Sequence, residues 1–334
     1  MSYARITGTG SYLPEKILTN HDLEKMVDTN DEWITTRTGI KERRILGKGK
    51  GTSFMAVKAA EMVLSKRNIS ADELDLIIVA TVTPDMPVPS TAALVQKELK
   101  TSNCWGFDLN GGCTGFVYAL SVASQFVESG KHQKVMVIGA DKMSAIIDYQ
   151  DRNTCVLFGD AAGAVLIEPS NDNLANDNLG IRDFILHMDG SGYKSLYVNA
   201  GGSLEPASQE TVSKRKHFVY QDGKAVFKRA VKDMADVSIQ IMEKNNLTGK
   251  DIRFLIPHQA NFRIIDAVAK KMELDEEHVV VNIGKYGNTT AATIPLAMSE
   301  AYQDGLIKKG NWIVISAFGA GYTWGSCLIK WAMD

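Results

Sequence analysis

The stretch FDLNGGCTGFVYALSVASQF, residues 107–126, sets a cysteine between a glycine pair and a threonine–glycine pair. A strand-like run ends there and a helical apolar period begins, with the helix expected to start near Thr114. The N-terminus of a helix is the positive end of its macrodipole, which favours a thiolate. Flanking glycines let backbone and ligand come close. Cys113 is therefore read as a nucleophile. Cys104, Cys155 and Cys327 lack that setting and read as buried structural thiols.

A second stretch follows the same plan. KYGNTTAATIPLAMSEAYQDG (285–305) again has a glycine turn, a polar residue, threonine, an apolar helix and a closing glycine. Cys113 stands 17 residues before Gly130, and Asn288 stands 17 before Gly305. Each helix feeds a strand, VMVIGA or WIVISAF. The spacing indicates an internal duplication, with halves at 1–170 and 171–334, that brings Cys113 and Asn288 to facing turns.

Apolar runs at 75–81, 133–140, 154–159, 163–168, 252–257, 278–283 and 311–318 read as buried strands. Helical periods fall at 53–67, 90–99, 114–129, 224–245, 261–272 and 291–305. Their alternation argues for a layered α/β fold. The segment 169–220 is rich in Asn, Asp, Gly and Ser and reads as a surface excursion between the halves. Its basic run, Lys214 to Lys216, reads as a solvated face.

A chain of 334 residues with 45% hydrophobic and 23% charged residues suits a globular protein of two domains or one duplicated one. A net charge of −2 gives no global attraction to nucleic acid or anionic membrane. No run reaches the length of a membrane span, and no signal-peptide core precedes the first strand, so a reducing cytoplasmic setting is expected. The four cysteines form no CxxC pair, so neither a zinc nor a haem site is expected.

A cysteine nucleophile needs partners. Of six histidines, His21, His132, His187, His217 and His278 stand in polar or loop-like sequence. His258 ends an apolar strand in RFLIPHQANFRII, and the C-terminal edge of a strand is where α/β folds build sites. Cys113, His258 and Asn288 form a candidate set, but those residue types alone do not name a reaction. Papain-like proteases use the same three in the same order.

Six segments, in order, decide further: TNDEWITTRTGIKERR (29–44), NGGCTGF (110–116), DRNTCVLFGDAAGAVL (151–166), PHQANFRII (257–265), KYGNTTAATIP (285–295) and FGAGYTWGS (318–326). Together they resemble β-ketoacyl-acyl-carrier-protein synthase III, the thiolase-fold enzyme that initiates type II fatty-acid synthesis. The resemblance implies a five-layered αβαβα fold of two similar halves and a homodimer. It implies condensation of an acyl-CoA primer with malonyl-acyl-carrier protein through an acyl-Cys113 intermediate, with no metal or redox cofactor. Catalysis would fall to Cys113, His258 and Asn288, and the oxyanion hole to the N–H groups of Cys113 and Ala320. Trp33, Arg37 and Arg152 would hold the CoA adenine, and Asn261 would reach the pantetheine arm. Phe227 and Gly223 would add substrate contacts. Lys228 and Arg263 match carrier-docking positions, whereas Arg229, Lys232, Lys270 and Lys271 read as solvated helix faces. Two other readings stay open: a condensing enzyme of specialised metabolism, and a Cys–His–Asn thioester hydrolase.

The chain departs from the family pattern at three places. Ala320 replaces a glycine, adding a methyl and restricting φ. Ala161 stands where a second glycine is common. Val88 stands where a phenylalanine often lines the partner subunit's acyl pocket, which implies room for a primer longer or more branched than acetyl.

Overall fold

An apolar run such as LIIVA (76–80), once it forms a strand, needs cover on both faces. The computed structural model, which describes residues 3–170 and 179–334, covers it in that way. In chain order the strands are β1 (Ala4–Tyr12), β2 (Lys16–Thr19), β3 (Glu42–Ile45), β4 (Leu76–Ala80), β5 (Trp105–Leu109), β6 (Val135–Lys142), β7 (Asp160–Pro169), β8 (Gly180–Met188), β9 (Leu196–Val198), β10 (Val219–Gln221), β11 (Ile252–Pro257), β12 (Trp312–Gly319) and β13 (Thr323–Lys330). The helices are α1 (Asn20–Glu24), α2 (Asp31–Thr38), α3 (Thr52–Arg67), α4 (Thr91–Glu98), α5 (Gly115–Glu128), α6 (Gln209–Ser213), α7 (Gly223–Lys244), α8 (Phe262–Lys271), α9 (Ile283–Tyr286) and α10 (Thr293–Gln303).

Two main sheets share one plan. The first has the order β1-β7-β6-β4-β5, and the second β8-β13-β12-β11. In each, two antiparallel pairings are followed by a parallel one: β1/β7, β7/β6 and β6/β4 correspond to β8/β13, β13/β12 and β12/β11. The parallel bridge Leu255–Val279 occupies the place that β5 takes beside β4.

Side chains alternate across both sheets. Leu76, Ile78 and Ala80 of β4 join Ile313, Ile315 and Ala317 of β12 in a central core with α5 and α10. Ile77 and Val79 face α3 and α4 on one outside. Val314 and Phe318 face α7 and α8 on the other. The result is the five-layered αβαβα arrangement that the resemblance implies. Among the described residues, no helix is long and apolar enough to cross a membrane.

Three expectations are corrected. TCVLFG (154–159) is a turn whose Cys155, Val156 and Phe158 are buried under α1 and α2 with Leu23 and Ile34. HVVVNI (278–283) contributes one bridge residue, Val279, before the chain turns into α9. The segment 169–220 is not only surface loop, because Gly180–Met188 is the edge strand β8. The loop reading over 171–178 lies outside the described residues. The basic run is ion-paired: Lys214 with Glu210, Arg215 with Asp148, and Lys216 with Glu205.

Candidate active site

Cys113, His258, Asn288 and Ala320 each sit just beyond a strand or at the lead-in to a central helix. Cys113 follows β5 in a tight turn, Gly112–Thr114, and α5 begins at Gly115. Gly112 has φ +57°, in the left-handed region that suits glycine. A Cβ there would stand 2.9 Å from the Ala320 nitrogen, and one on Gly319 would stand 2.7 Å from the Cys113 nitrogen. The N–H groups of Cys113 and Ala320 therefore lie on two closely apposed backbones. The left-handed residues of the neighbouring turn are Gly321 and Tyr322, not Ala320, so the extra methyl needs no forbidden φ. Ala161 packs in the core against Tyr286, Ala292 and Leu296.

Asn288 is locked on both sides. Its N–H donates to the Leu157 carbonyl (2.8 Å), and its own carbonyl accepts from Gly159 (3.0 Å). The side-chain Oδ1 accepts from the Thr290 N–H at 2.8 Å, which leaves the amide NH2 for the site. His258 is 2% exposed, and its Nδ1 lies 2.7 Å from Thr293 Oγ1. Burial brings its pKa down to about 3, so the imidazole is neutral at working pH.

Burial also pushes the Cys113 thiol up to about 12, and the Asp141 carboxylate adds to the rise. The Cys113 N–H and the Asn288 side chain oppose it and do not win. A resting thiolate, as the macrodipole argument suggests, is therefore not what the fold holds: desolvation outweighs the helix end, and the free thiol is protonated.

One cavity of about 550 Å³ brings the candidates together. Cys113, His258 and Asn288 line its buried floor, and Trp33, Arg37, Asn261, Gly223 and Phe227 line it as well. The Trp33 ring is flanked by Arg37 at 5.0 Å and Arg152 at 4.8 Å from its centroid. Asn261 caps α8 through Oδ1 and donates from Nδ2 to the Arg37 carbonyl (2.9 Å), which ties the two sides of the mouth together. Arg263, over the Phe227 ring, is exposed and lines the cavity, and Lys228 is exposed on α7 next to the lining residue Phe227. Four neighbouring cations are paired: Arg229 with Asp189 and Asp233, Lys232 with Asp233 and Asp236, Lys270 with Asp266, and Lys271 with Asp236. Among the described residues, Lys228 and Arg263 have no acidic partner.

A second cavity of about 290 Å³ starts at Cys113 and Ala320 and is walled by Val82, Met143, Phe158 and Leu196. Val88 lines neither cavity of its own chain and is 82% exposed. Thr290, Thr293 and Asp141 also shape the site, and nothing in their local sequence marks them individually. The two threonines lie inside the quoted KYGNTTAATIP segment, so motif membership was their one available signal.

A duplicated αβαβα fold whose cysteine, histidine and asparagine meet at the floor of one cavity defines a thiolase-type condensing acyltransferase. Residues 107–190 match the family described as 3-oxoacyl-[acyl-carrier-protein (ACP)] synthase III, and residues 242–331 match its C-terminal region. The β-ketoacyl-[acyl-carrier-protein] synthase III of Chlorobium chlorochromatii is 56% identical over 330 residues, covering 98% of this chain and 99% of that protein. The crystal structure of the Aquifex aeolicus 3-oxoacyl-[acyl-carrier-protein] synthase III gives a TM-score of 0.89 at 45% identity, covering 98% of this chain and all of that one. The Thermus thermophilus synthase III gives 0.90 at 43%, with 98% and 99% covered. The chain belongs to the β-ketoacyl-acyl-carrier-protein synthase III family.

Proposed function

We propose that the protein condenses an acyl-CoA primer with malonyl-acyl-carrier protein, giving a 3-ketoacyl-carrier protein, CoA and carbon dioxide. The observation that carries this is the shared cavity, with Cys113, His258 and Asn288 at its floor and the Trp33–Arg37–Arg152 stack and unpaired Lys228 and Arg263 at or near its mouth.

In the first half-reaction the Cys113 sulfur attacks the primer thioester carbonyl. The carbonyl oxygen takes the negative charge beside the N–H groups of Cys113 and Ala320. The carbon–sulfur bond to CoA then breaks, and the thiol proton ends on the departing CoA sulfur. In the second, the malonyl group loses carbon dioxide and leaves an electron pair as an enolate. The Asn288 amide and His258 Nε2–H hold its oxygen. A neutral His258 donates through Nε2 only if Nδ1 accepts; the one Thr293 hydroxyl proton lies between Nδ1 (2.7 Å) and the Thr290 carbonyl (3.0 Å), and in this reading it turns to Nδ1. The enolate carbon attacks the acyl group, Cys113 leaves as thiolate, and one proton from solvent restores the thiol.

The 290 Å³ cavity is the acyl chamber in this reading, with space beyond what acetyl fills. A homodimer would bring Val88 of one subunit to the other's chamber. The exposed edge strand β5, with Trp105 half exposed, fits a second copy. The setting is cytoplasmic, and CoA and phosphopantetheine thioesters carry the acyl groups without a resident cofactor.

The test incubates the protein with acyl-CoA and malonyl-carrier protein and follows carbon dioxide and 3-ketoacyl product. Stoichiometric release of both is expected. Thioester hydrolysis without carbon dioxide release would overturn the reading in favour of a hydrolase.

A further inference from the structure

Asp141 lies near the end of β6, fully buried, and the chemistry above does not use it. Its oxygens collect donors from both halves of the molecule. Oδ1 accepts from Thr81 Oγ1 (3.0 Å), the Val82 N–H (2.8 Å), the Thr83 N–H (3.2 Å) and Thr83 Oγ1 (2.9 Å), on the chain leaving β4. Oδ2 accepts from Thr290 Oγ1 and the Ala291 N–H (3.3 Å), where the chain enters α10. Three of these donors are backbone N–H groups that cannot turn round to accept. The pocket therefore suits an acceptor-only carboxylate. Burial raises the Asp141 pKa, and hydrogen bonds rather than a cation oppose it.

The turn it holds is otherwise unfavourable. Thr290 has φ +51°, a left-handed conformation that a β-branched residue keeps only when its surroundings impose it. Gly139 on β6 lets the turn lie directly on the strand, since a Cβ there would stand 2.2 Å from the Ala291 carbonyl oxygen. The N–H of Thr290 is also the donor that orients Asn288. A chain of contacts thus runs from Asp141 through Thr290 to the Asn288 amide.

We infer that Asp141 is a positioning residue of the condensation site, a buried carboxylate that fixes through Thr290 the turn aiming the Asn288 amide. The inference rests on the reading of Asn288 as an enolate donor. Around the thiol the titratable groups are Asp141 from β6 and His258 from the end of β11. Tyr197 lines the second cavity, and Arg37, Lys224 and Arg263 line the first at exposed positions. Lys142 turns away to the Gly47 and Lys50 carbonyls, and the buried Asp160 is engaged by Leu46 and Ser144.

The test uses the full chain with Asp141→Asn, Thr290→Ala and Thr290→Ser. Acylation of Cys113 by acyl-CoA is followed by peptide mass and is measured separately from decarboxylation of malonyl-carrier protein. Asp141→Asn sets an amide NH2 against N–H donors where an acceptor is needed, and is expected to lower the ratio of decarboxylation to acylation about tenfold. Thr290→Ala is expected to lower the same ratio about tenfold, less than the roughly 10²–10³ for removing a donor outright, because the Asn288 amide is misaimed and not lost. Thr290→Ser restores the ratio. An unchanged ratio in Asp141→Asn or in Thr290→Ala overturns the inference. If Asp141→Asn does not fold, the Thr290 pair decides alone. If the wild type is acylated on Cys113 but never decarboxylates malonyl-carrier protein, the proposed function fails; a wild type that decarboxylates, with the ratio unchanged in the variants, fails the inference alone.

Discussion

The Asn288 Oδ1 accepts the Thr290 N–H at 2.8 Å, so the amide can offer only its NH2 to the cavity it shares with Cys113. An amide fixed in this way is a hydrogen-bond donor of known direction. It can stabilise an oxyanion but cannot take a proton.

Asn288→Ala should therefore separate the two half-reactions. Acylation of Cys113 is expected to stay within a few-fold of wild type. Decarboxylation is expected to fall by about 100-fold, equivalent to ~3 kcal/mol for one lost oxyanion donor. Rapid-quench measurement of each step checks this, and equal loss of both would contradict the role.

Backbone apposition gives a second prediction. Gly319→Ala places a Cβ 2.7 Å from the Cys113 nitrogen, a backbone atom that has little freedom to move. The oxyanion hole should open, and kcat for acylation should fall about 100-fold. Binding of CoA at the distant Trp33 end should change little. Isothermal titration beside single-turnover acylation separates the two effects.

His258 sets an acid limit to stability. Its pKa is about 3 in the fold against an ordinary value near 6.5, so the unfolded chain binds the extra proton first. Stability from this residue is complete above pH 6.5 and is lost progressively as pH falls toward 3. The slope is up to about 1.4 kcal/mol per pH unit. Urea midpoints measured from pH 7 to 4 should decline less steeply in His258→Gln than in wild type.

Lys228 and Arg263, like the cavity-lining Lys224, lack the acidic partner that Arg229, Lys232, Lys270 and Lys271 have among the described residues. Lys228→Glu with Arg263→Glu should raise KM for an acidic carrier protein at least about tenfold at low salt, with less effect at high salt. Lys270→Ala, which breaks only an exposed pair with Asp266, should stay within about twofold. Steady-state kinetics at two ionic strengths check both.

Much of this site was legible in one dimension because its parts stand at sequence landmarks. Cys113 lies between glycines at a strand-to-helix turn, His258 ends a strand, and Asn288 repeats the spacing of Cys113. Apolar runs gave β4, β6, β11 and β12, but the same signal misled at 154–159 and 278–283. A short buried run need not be a strand; Cys155 and Phe158 are covered by the cap that α1 and α2 build. Strand β8 was hidden behind an Asn- and Asp-rich stretch. Asp141 and Thr290 are 149 positions apart, and only the packing of one half on the other joins them. The burial that raises the Cys113 thiol was likewise invisible, and it reversed the expectation drawn from the helix end.

The most direct test of the central claim is intact mass after incubation with a panel of acyl-CoAs, followed by peptide mapping. One acyl group per chain is expected, on Cys113, absent in Cys113→Ala, with primers longer or more branched than acetyl accepted. A folded protein that gains no mass on Cys113 from any acyl-CoA, or that is acylated elsewhere, would contradict that claim.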